Sequence, residues 1–189
     1  MMYNLDTQVF VSFDLETTGL KPDLGDRIIE IAAIPIFNGK IKRKFEFHTL
    51  VNPKIRIPVE GSQFHKLNNK DIENAPTMIE IFPKFKEYIA NTILVSHNAK
   101  MDMLFLDVAA KESGILPVEN YYIDTLEIAK VLLERGPYSL EHLSKKFNIY
   151  VGRSHRAYED ALMTAKLFLI FIKKFGLKSL GDFIKKWRG

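Results

Sequence analysis

The dipeptide Asn38-Gly39 restricts the fold of this 189-residue chain more than any other local feature. It lies between two β-prone runs, residues 27–37 and 40–51. Asn-Gly favours the positive φ angles of a two-residue hairpin turn, so the two runs should pair as antiparallel strands. Pro35 has no backbone N–H, and we therefore expect a bulge there or a nitrogen that faces no partner strand.

The remaining periodicity predicts an α/β fold. A first β-prone run covers residues 9–15, and short apolar runs at 93–96 and 121–123 are expected to be parallel strands joined by a helix. Helices are expected over residues 77–90, 98–113, 125–134, 139–148, 157–175 and 179–187, with Asn98 capping the second. The result is a mixed five-stranded sheet, three antiparallel strands followed by two parallel ones, flanked by helices.

Nothing in the sequence divides the chain. Without repeats or linkers, residues 1–189 should form a single domain, with a catalytic core over about 9–175 and a short helical tail over 176–189. No apolar run is long enough to cross a membrane, and the start lacks a signal-peptide pattern. The chain has no cysteine, which excludes thiolate zinc sites and cysteine nucleophiles and fits a reducing, cytoplasmic location.

The end of the first strand carries two acids, Asp14 and Glu16. Side chains two residues apart on a strand share a face, so these carboxylates should project side by side. Adjacent carboxylates repel each other unless a cation lies between them, and oxygen-only ligands suit Mg²⁺ or Mn²⁺. Taken alone, the pattern is more typical of a polar strand end at the surface.

Two later segments carry further carboxylates, and one of them also carries a histidine. Asp102 lies in the first turn of the 98–113 helix, and Asp160 lies early in the 157–175 helix, just after His155. Ala157, Ala161 and Ala165 recur every four positions, which lets that helix approach a sheet closely and bring Asp160 to the strand carboxylates. Each acid alone is also explained by the helix dipole.

Together these groups have the composition of a phosphodiesterase site. Hydrolysis of a phosphodiester needs a hydroxide at neutral pH and positive charge at the attacking and leaving oxygens, and two divalent cations supply both. A histidine with an ordinary pKa can take a proton from water. The net charge of +4 favours a polyanionic partner but does not require one.

In its motifs the chain resembles the DEDDh exonucleases and, among them, the proofreading epsilon subunits of bacterial DNA polymerase III. The resemblance covers residues 9–174. It rests on VSFDLETTGL at 11–20, on SHNA at 96–99 with Asp102, and on HRA at 155–157 with Asp160, in the family's order. RIIEI at 27–31, LVNP at 50–53 and IDTL at 123–126 also match. Met101, Pro35 and Lys66-Leu67-Asn68 depart from the family's usual residues without touching a carboxylate.

The resemblance implies a ribonuclease H-like fold and a 3′–5′ exonuclease acting on a single-stranded DNA 3′ end with two Mg²⁺ or Mn²⁺ ions. Whether it acts alone or with a DNA polymerase catalytic subunit stays open at this point. The resemblance also implies the role of each group. The metal ligands are Asp14, Glu16, Asp102 and Asp160; His155 is the general base; and Thr17, Thr18, Leu20, His65 and Asn98 contact the nucleotide, with His97 and Asn98 also supporting the site.

Two alternatives remain open from the sequence. One is an RNA 3′–5′ exonuclease of the same superfamily, a tRNA-trimming or oligoribonuclease-like enzyme with the same chemistry. The other is a nucleic-acid-binding module without catalysis, although all five catalytic groups are present. Thr17-Thr18 favours the DNA enzyme.

Overall fold

The computed structural model describes residues 7–150, 152 and 155–188. Its strands are β1 (Phe10–Thr17), β2 (Ile28–Phe37), β3 (Lys40–Ile41), β4 (Phe47–Leu50), β5 (Ile93–Ser96), β6 (Tyr121–Asp124) and β7 (Lys185–Lys186). Its α-helices are α1 (Val59–His65), α2 (Asn69–Ile72), α3 (Met78–Tyr88), α4 (Ala99–Glu112), α5 (Thr125–Leu132), α6 (Leu140–Lys146), α7 (Ala157–Phe175) and α8 (Leu177–Leu180).

The described strands form one mixed sheet in the order β3-β2-β1-β5-β6-β7, with β4 also paired to β2. β1 and β2 are antiparallel, whereas β1, β5 and β6 run parallel. The predicted mixed α/β architecture is confirmed. The sheet has seven strands rather than five, because the expected third strand is broken into β3 and β4 and a further strand forms near the end of the chain.

The predicted hairpin is present. Asn38 and Gly39 adopt φ angles of 51° and 65° between β2 and β3. Pro35 stays in register opposite Val11, so the bulge alternative was wrong. The Pro35 carbonyl accepts a 2.8 Å bond from the Lys42 N–H, so its nitrogen faces the same side, where β2 meets the break between β3 and β4.

The tail helix expected over residues 179–187 was wrong. The chain forms the short α8, a 3-10 turn at Gly181–Phe183, and then β7, which pairs antiparallel with β6. The Trp187 indole N–H donates to the Asp107 carboxylate at 2.9 Å and its ring packs edge-on against Tyr122. The tail therefore covers the β6 edge, and unpaired sheet edges are unfavourable.

Helices cover both faces of the sheet. Val11, Phe13 and Leu15 of β1 face α3 and α4. The opposite face of β1, including Phe10, is covered by α7 through Phe168. Among the described residues, no helix is long and apolar enough to span a membrane.

Candidate active site

The first two carboxylates come from the end of β1. Ser12, Asp14 and Glu16 alternate along the strand and so share the face that α7 covers, where the Ser12 hydroxyl donates to the Ala161 carbonyl at 2.8 Å. Glu16 pairs with Glu30 of β2, and the register shifts directly after it. Asp14 and Glu16 therefore lie where regular pairing stops.

Helix α7 brings the third carboxylate. Ala157 and Ala161 are fully buried against Ala32 of β2, which lets the helix backbone lie close to the sheet. As a result, carboxylate oxygens of Asp14, Glu16 and Asp160 all lie within 4.8 Å of one another. We refer to these three residues as the acidic cluster.

Asp102 reaches the same region from the first turn of α4. Its carboxylate oxygens are not among those that lie within 4.8 Å of one another, so it is not part of the acidic cluster. Its Oδ2 accepts a 2.5 Å bond from the Ser96 hydroxyl at the end of β5. Burial raises the pKa of Asp102 to about 7, although the Ser96 bond opposes the rise. The negative charge of Asp102 also helps to raise the pKa of Asp14, so the two carboxylates are close enough to repel each other.

Burial and mutual repulsion both disfavour ionisation of the acidic cluster. Burial is the main reason that the pKa of Asp14 lies well above its ordinary range, and the charges of Asp102 and Asp160 add to it. Burial, followed by the charge of Asp160, raises the pKa of Glu16 to about 8. Burial raises the pKa of Asp160 to about 6 against the lowering effect of a backbone hydrogen bond from His155. Clustered negative charge of this kind is unfavourable unless a cation balances it.

The donor set fits a divalent cation. All three groups of the acidic cluster offer carboxylate oxygens, which Mg²⁺ and Mn²⁺ prefer over softer ligands. Oδ1 of Asp160 is buried without a hydrogen-bond partner in the described part of the chain. Buried polar atoms are nearly always paired, and a bound cation would both satisfy this oxygen and remove the repulsion.

His155 lies beside the acidic cluster. Its backbone N–H donates to Oδ2 of Asp160 at 3.2 Å, and its φ of 66° turns the chain sharply before α7. The side chain is exposed, and a positive imidazolium there would lower the pKa of Asp160. His155 is thus near enough to the carboxylates for the predicted role as a base, which stays a prediction.

A cavity of about 410 Å³ adjoins Glu16. The structure brings four predicted nucleotide-binding residues into its wall, namely Thr17, Thr18, Leu20 and His65. Leu20 and Phe64 are 73% and 65% exposed, so large apolar side chains form much of the wall. Such a cavity suits a flat, partly apolar group next to the acidic cluster.

The hydroxyls of Thr17 and Thr18 are engaged within their own loop. The Thr17 hydroxyl donates to the Gly19 carbonyl at 2.6 Å. The buried Thr18 hydroxyl donates to Asp26 at 3.1 Å and accepts from the Arg27 N–H at 2.9 Å. The threonines therefore fix the shape of the cavity wall. Asp26, which accepts the bond from Thr18, was not predicted from the sequence to contribute to the site.

His65 carries a free donor. Its ring is 2% exposed, and Nδ1 accepts a 3.1 Å bond from the Leu67 N–H, which places the ring proton on Nε2. Nε2 has no hydrogen-bond partner among the described residues. Burial lowers the pKa of His65, so the neutral imidazole is favoured. The neutral ring therefore keeps one unpaired N–H donor in a residue that lines the cavity.

Asn98 and His97 do not line this cavity. Asn98 has a φ of 75° at the start of α4, and its side chain makes no capping bond, so the predicted cap was wrong. The backbone N–H groups of Asn98 and Ala99 donate instead to Asp124, at 2.9 and 3.1 Å. The His97 ring bridges the Thr125 hydroxyl and the Tyr138 carbonyl, both at 2.9 Å. His97 thus supports the surrounding structure.

Glu30 is a second residue whose importance the sequence did not reveal. Its fully buried carboxylate receives two bonds from the Arg156 guanidinium, at 2.8 and 2.9 Å, and one from His48 at 2.7 Å. Burial alone would raise the pKa of Glu30, but these bonds outweigh it and hold the pKa at about 2. Glu30 is the only charged residue in β2, a signal that marks a buried charge with a partner.

Comparison with known proteins defines the class. The family model RNase_T, described as an exonuclease family, matches residues 11–168. The chain therefore belongs to this exonuclease family. The predicted membership in a family of exonucleases is confirmed, and the acidic cluster lies within the matched range.

Individual relatives narrow the similarity to one kind of protein, the PolC-type DNA polymerase III. The chain is 38% identical over 182 residues to the PolC-type DNA polymerase III of Thermotoga petrophila, covering 95% of this chain and 13% of that protein. It is 40% identical over 177 residues to the PolC-type polymerase of Caldanaerobacter subterraneus subsp. tengcongensis, covering 92% and 12%. The predicted relation to bacterial DNA polymerase III is confirmed, and the chain spans only about an eighth of these relatives' length.

Solved structures share the fold. E. coli exonuclease I in complex with a dA16 oligonucleotide superposes with a TM-score of 0.81 at 16% identity, covering 93% of this chain and 42% of that one. Exonuclease X in complex with 5′ overhanging duplex DNA gives a TM-score of 0.74 at 24% identity, covering 92% and 98%. The ribonuclease H-like fold expected from the sequence is thereby confirmed.

Proposed function

We propose that this chain is a metal-dependent 3′–5′ exonuclease that removes nucleotides from the 3′ end of single-stranded DNA, as a proofreading nuclease does. The observation that carries the proposal is the acidic cluster, whose three carboxylates lie within 4.8 Å and whose Glu16 also lines the 410 Å³ cavity. An acid cluster beside a nucleotide-sized cavity suits cleavage at a chain terminus. The similarity to PolC-type polymerases supports DNA as the substrate and a polymerase as the partner.

The side chains divide the work. Asp14, Glu16 and Asp160 would hold divalent cations, Mg²⁺ or Mn²⁺, with Asp102 completing the set. Such cations, when bound, lower the pKa of water and neutralise charge on the phosphate. His155 would take the proton from the attacking water, and its exposure lets that proton pass to solvent.

The cavity would hold the terminal nucleotide. Leu20 and Phe64 offer apolar surface to a base, and His65 offers the Nε2 proton to an acceptor on the nucleotide. An unpaired terminal base can enter such a cavity without breaking a duplex, which favours single-stranded or mismatched ends. We place the catalytic core at about residues 9–175, within a single domain of residues 1–189.

An end-label assay tests this function. DNA and RNA oligomers of one sequence, labelled at the 5′ end, are mixed with the protein in Mn²⁺, in Mg²⁺ and in chelator. We expect a ladder of labelled products shortened from the 3′ end, faster on DNA than on RNA, and only with metal. Asp14→Ala should abolish the ladder, whereas Asp182→Ala, which removes an exposed carboxylate of the Gly181–Phe183 turn, should not.

The assay separates the rivals. Preferential degradation of the RNA oligomer would favour an RNA-processing exonuclease. Release of a labelled mononucleotide at the outset would show 5′–3′ polarity and contradict the proposal. Retained activity in Asp14→Ala would refute the metal-ligand assignment, and strand binding without any product would favour a binding module.

A further inference from the structure

Two helices carry metal-ligand candidates, and neither is capped by its own N-cap side chain. Asn98 precedes α4, which carries Asp102, and Arg156 precedes α7, which carries Asp160; neither side chain makes a capping bond. The first N–H groups of a helix have no partner within the helix, and a buried helix start needs an acceptor from elsewhere. Both helices obtain that acceptor from the sheet.

Asp124, the last residue of β6, supplies it for α4. Its side chain is 6% exposed. Oδ1 accepts from the Asn98 N–H at 2.9 Å and from the Leu126 N–H at 2.8 Å, and Oδ2 accepts from the Ala99 N–H at 3.1 Å. One carboxylate therefore joins the start of α4 to the start of α5 and to the end of the sheet.

Glu30 of β2 plays the same part for α7. Its Oε2 accepts from the Ala157 N–H at 3.3 Å and from Nε of Arg156 at 2.9 Å. Glu30 also lies directly opposite Glu16 in the β1–β2 register. The strand that neighbours the acidic cluster thus holds the helix that completes it.

We propose, on the basis of the function above, that Asp124 and Glu30 are positioning residues that set where Asp102 and Asp160 stand relative to β1. A cap supplied by the helix itself stabilises the helix but leaves its position on the sheet free. A cap supplied by a strand fixes the helix to the sheet that carries Asp14 and Glu16. Groups that orient metal ligands from outside the ligand set change metal affinity or activity about 10–100-fold when removed.

The variant Asp124→Asn tests the α4 half. Its amide oxygen can still accept the bonds that Oδ1 receives, but its NH₂ group would face the Ala99 N–H, donor against donor. We expect the apparent dissociation constant for Mn²⁺, followed by electron paramagnetic resonance of the free ion, to rise about tenfold. The KM for a DNA oligomer should stay within about twofold, and excess Mn²⁺ should restore much of kcat, because the lost group acts through metal binding.

A second readout needs no metal. Amide hydrogen exchange over residues 97–106 should speed up in chelator-treated Asp124→Asn, because the start of α4 has lost an acceptor. Thr77→Ala is the matched control: it removes the hydroxyl bond to Glu80 at the start of α3, a helix that carries none of the acidic cluster. This control should lower Tm but leave Mn²⁺ affinity unchanged.

Glu30→Gln tests whether Glu30 positions α7. It also keeps the proposal testable if Asp124→Asn does not fold. It should also weaken Mn²⁺ binding about tenfold. Both positioning roles are overturned if the folded variants lose stability as Thr77→Ala does while binding Mn²⁺ as the wild type does. If the wild type itself neither binds Mn²⁺ nor degrades DNA, the proposed function fails instead, which is a different result.

Discussion

Glu16 shows how one side chain is shaped by burial and by its neighbours. In an exposed strand end its carboxyl would ionise near its ordinary pKa of 4.5, but burial and the charge of Asp160 raise the pKa to about 8. Glu30, directly opposite on β2, has its pKa held at about 2, because Arg156 and His48 donate to it. The two glutamates thus differ because Arg156 and His48 bond directly to Glu30, whereas Glu16 receives only the charge effect of Arg156, which does not offset its burial. Glu16 can therefore bind a metal ion.

At the residue scale, His155→Ala should lower kcat by about 10²–10⁴-fold while strand binding changes little. The bond from position 155 to Asp160 comes from the backbone, so alanine preserves it, and the exposed side chain contributes little to stability. Single-turnover kinetics and oligomer binding in Ca²⁺ would separate the two effects. His142→Ala, at an exposed histidine of α6, is the control, and equal losses in binding and turnover would contradict a role as base.

At the scale of elements, the loop between β1 and β2 forms one wall of the cavity. Asp26 holds it closed by accepting bonds from the Thr18 hydroxyl at 3.1 Å and the Lys21 N–H at 2.8 Å. The Thr18 N–H donates to the Arg27 carbonyl at 2.8 Å across the neck of the loop. A dense local network thus places Thr17 and Leu20 next to Glu16.

Gly19→Ala should break this network. A Cβ at position 19 would lie 2.6 Å from Cγ of Asp26, so the carboxylate must move away from Thr18 and Lys21. We expect a stability loss of about 1–3 kcal/mol and a KM for the DNA oligomer raised severalfold, with Mn²⁺ affinity near that of the wild type. Urea denaturation and steady-state kinetics would measure both.

Gly25→Ala controls for backbone strain in the same loop. Gly25 has a φ of 107°, and a Cβ there would contact nothing within 4 Å. This variant should lose stability without the rise in KM. If both variants raise KM equally, the Asp26 network is not what shapes the cavity wall.

For the whole molecule, the acidic cluster couples stability to pH and metal. The pKa values of Glu16 and Asp160 rise from 4.5 and 3.8 to about 8 and about 6, so the folded state binds these protons more tightly than the unfolded state. The resulting stability is fully present below about pH 4 and is lost as pH rises through 6 to 8. In chelator, Tm should therefore fall between pH 5 and pH 8 by an amount on the order of 5 °C.

Metal and mutation should both remove this dependence. Mn²⁺ should raise Tm more at pH 8 than at pH 5, because protons compete with the metal for the same oxygens. Asp14→Asn should be more stable than the wild type at pH 8 in chelator, since one repelling charge is gone, and should not respond to Mn²⁺. Differential scanning calorimetry would measure these Tm values. If the Tm of the wild type rises with pH in chelator, repulsion within the acidic cluster does not control the stability.

Much of the fold could be predicted because its signals are local. The bounds of α7 agree with its apolar period and with Gly176 as its stop, and Asn38-Gly39 forms the expected turn. The residue types of Asp14, Glu16, Asp102, His155 and Asp160 indicated a phosphodiesterase site, and the motifs around them carried the resemblance to a family of nucleases. Local propensity failed for β7, whose pairing depends on an open β6 edge that no nearby residue encodes.

The sequence by itself determined most of the helices and strands and which side chains are candidates for the chemistry, because backbone propensity, apolar period and donor type act over a few residues. Only the tertiary structure decided that Asp160 meets Asp14 and Glu16 within 4.8 Å, that Asp102 bonds to Ser96 beside them, and that Asp124 and Glu30 hold the two helices. These relations join residues far apart in the chain. Their distances and pKa values depend on burial and on charges that come together only when the sheet and helices pack.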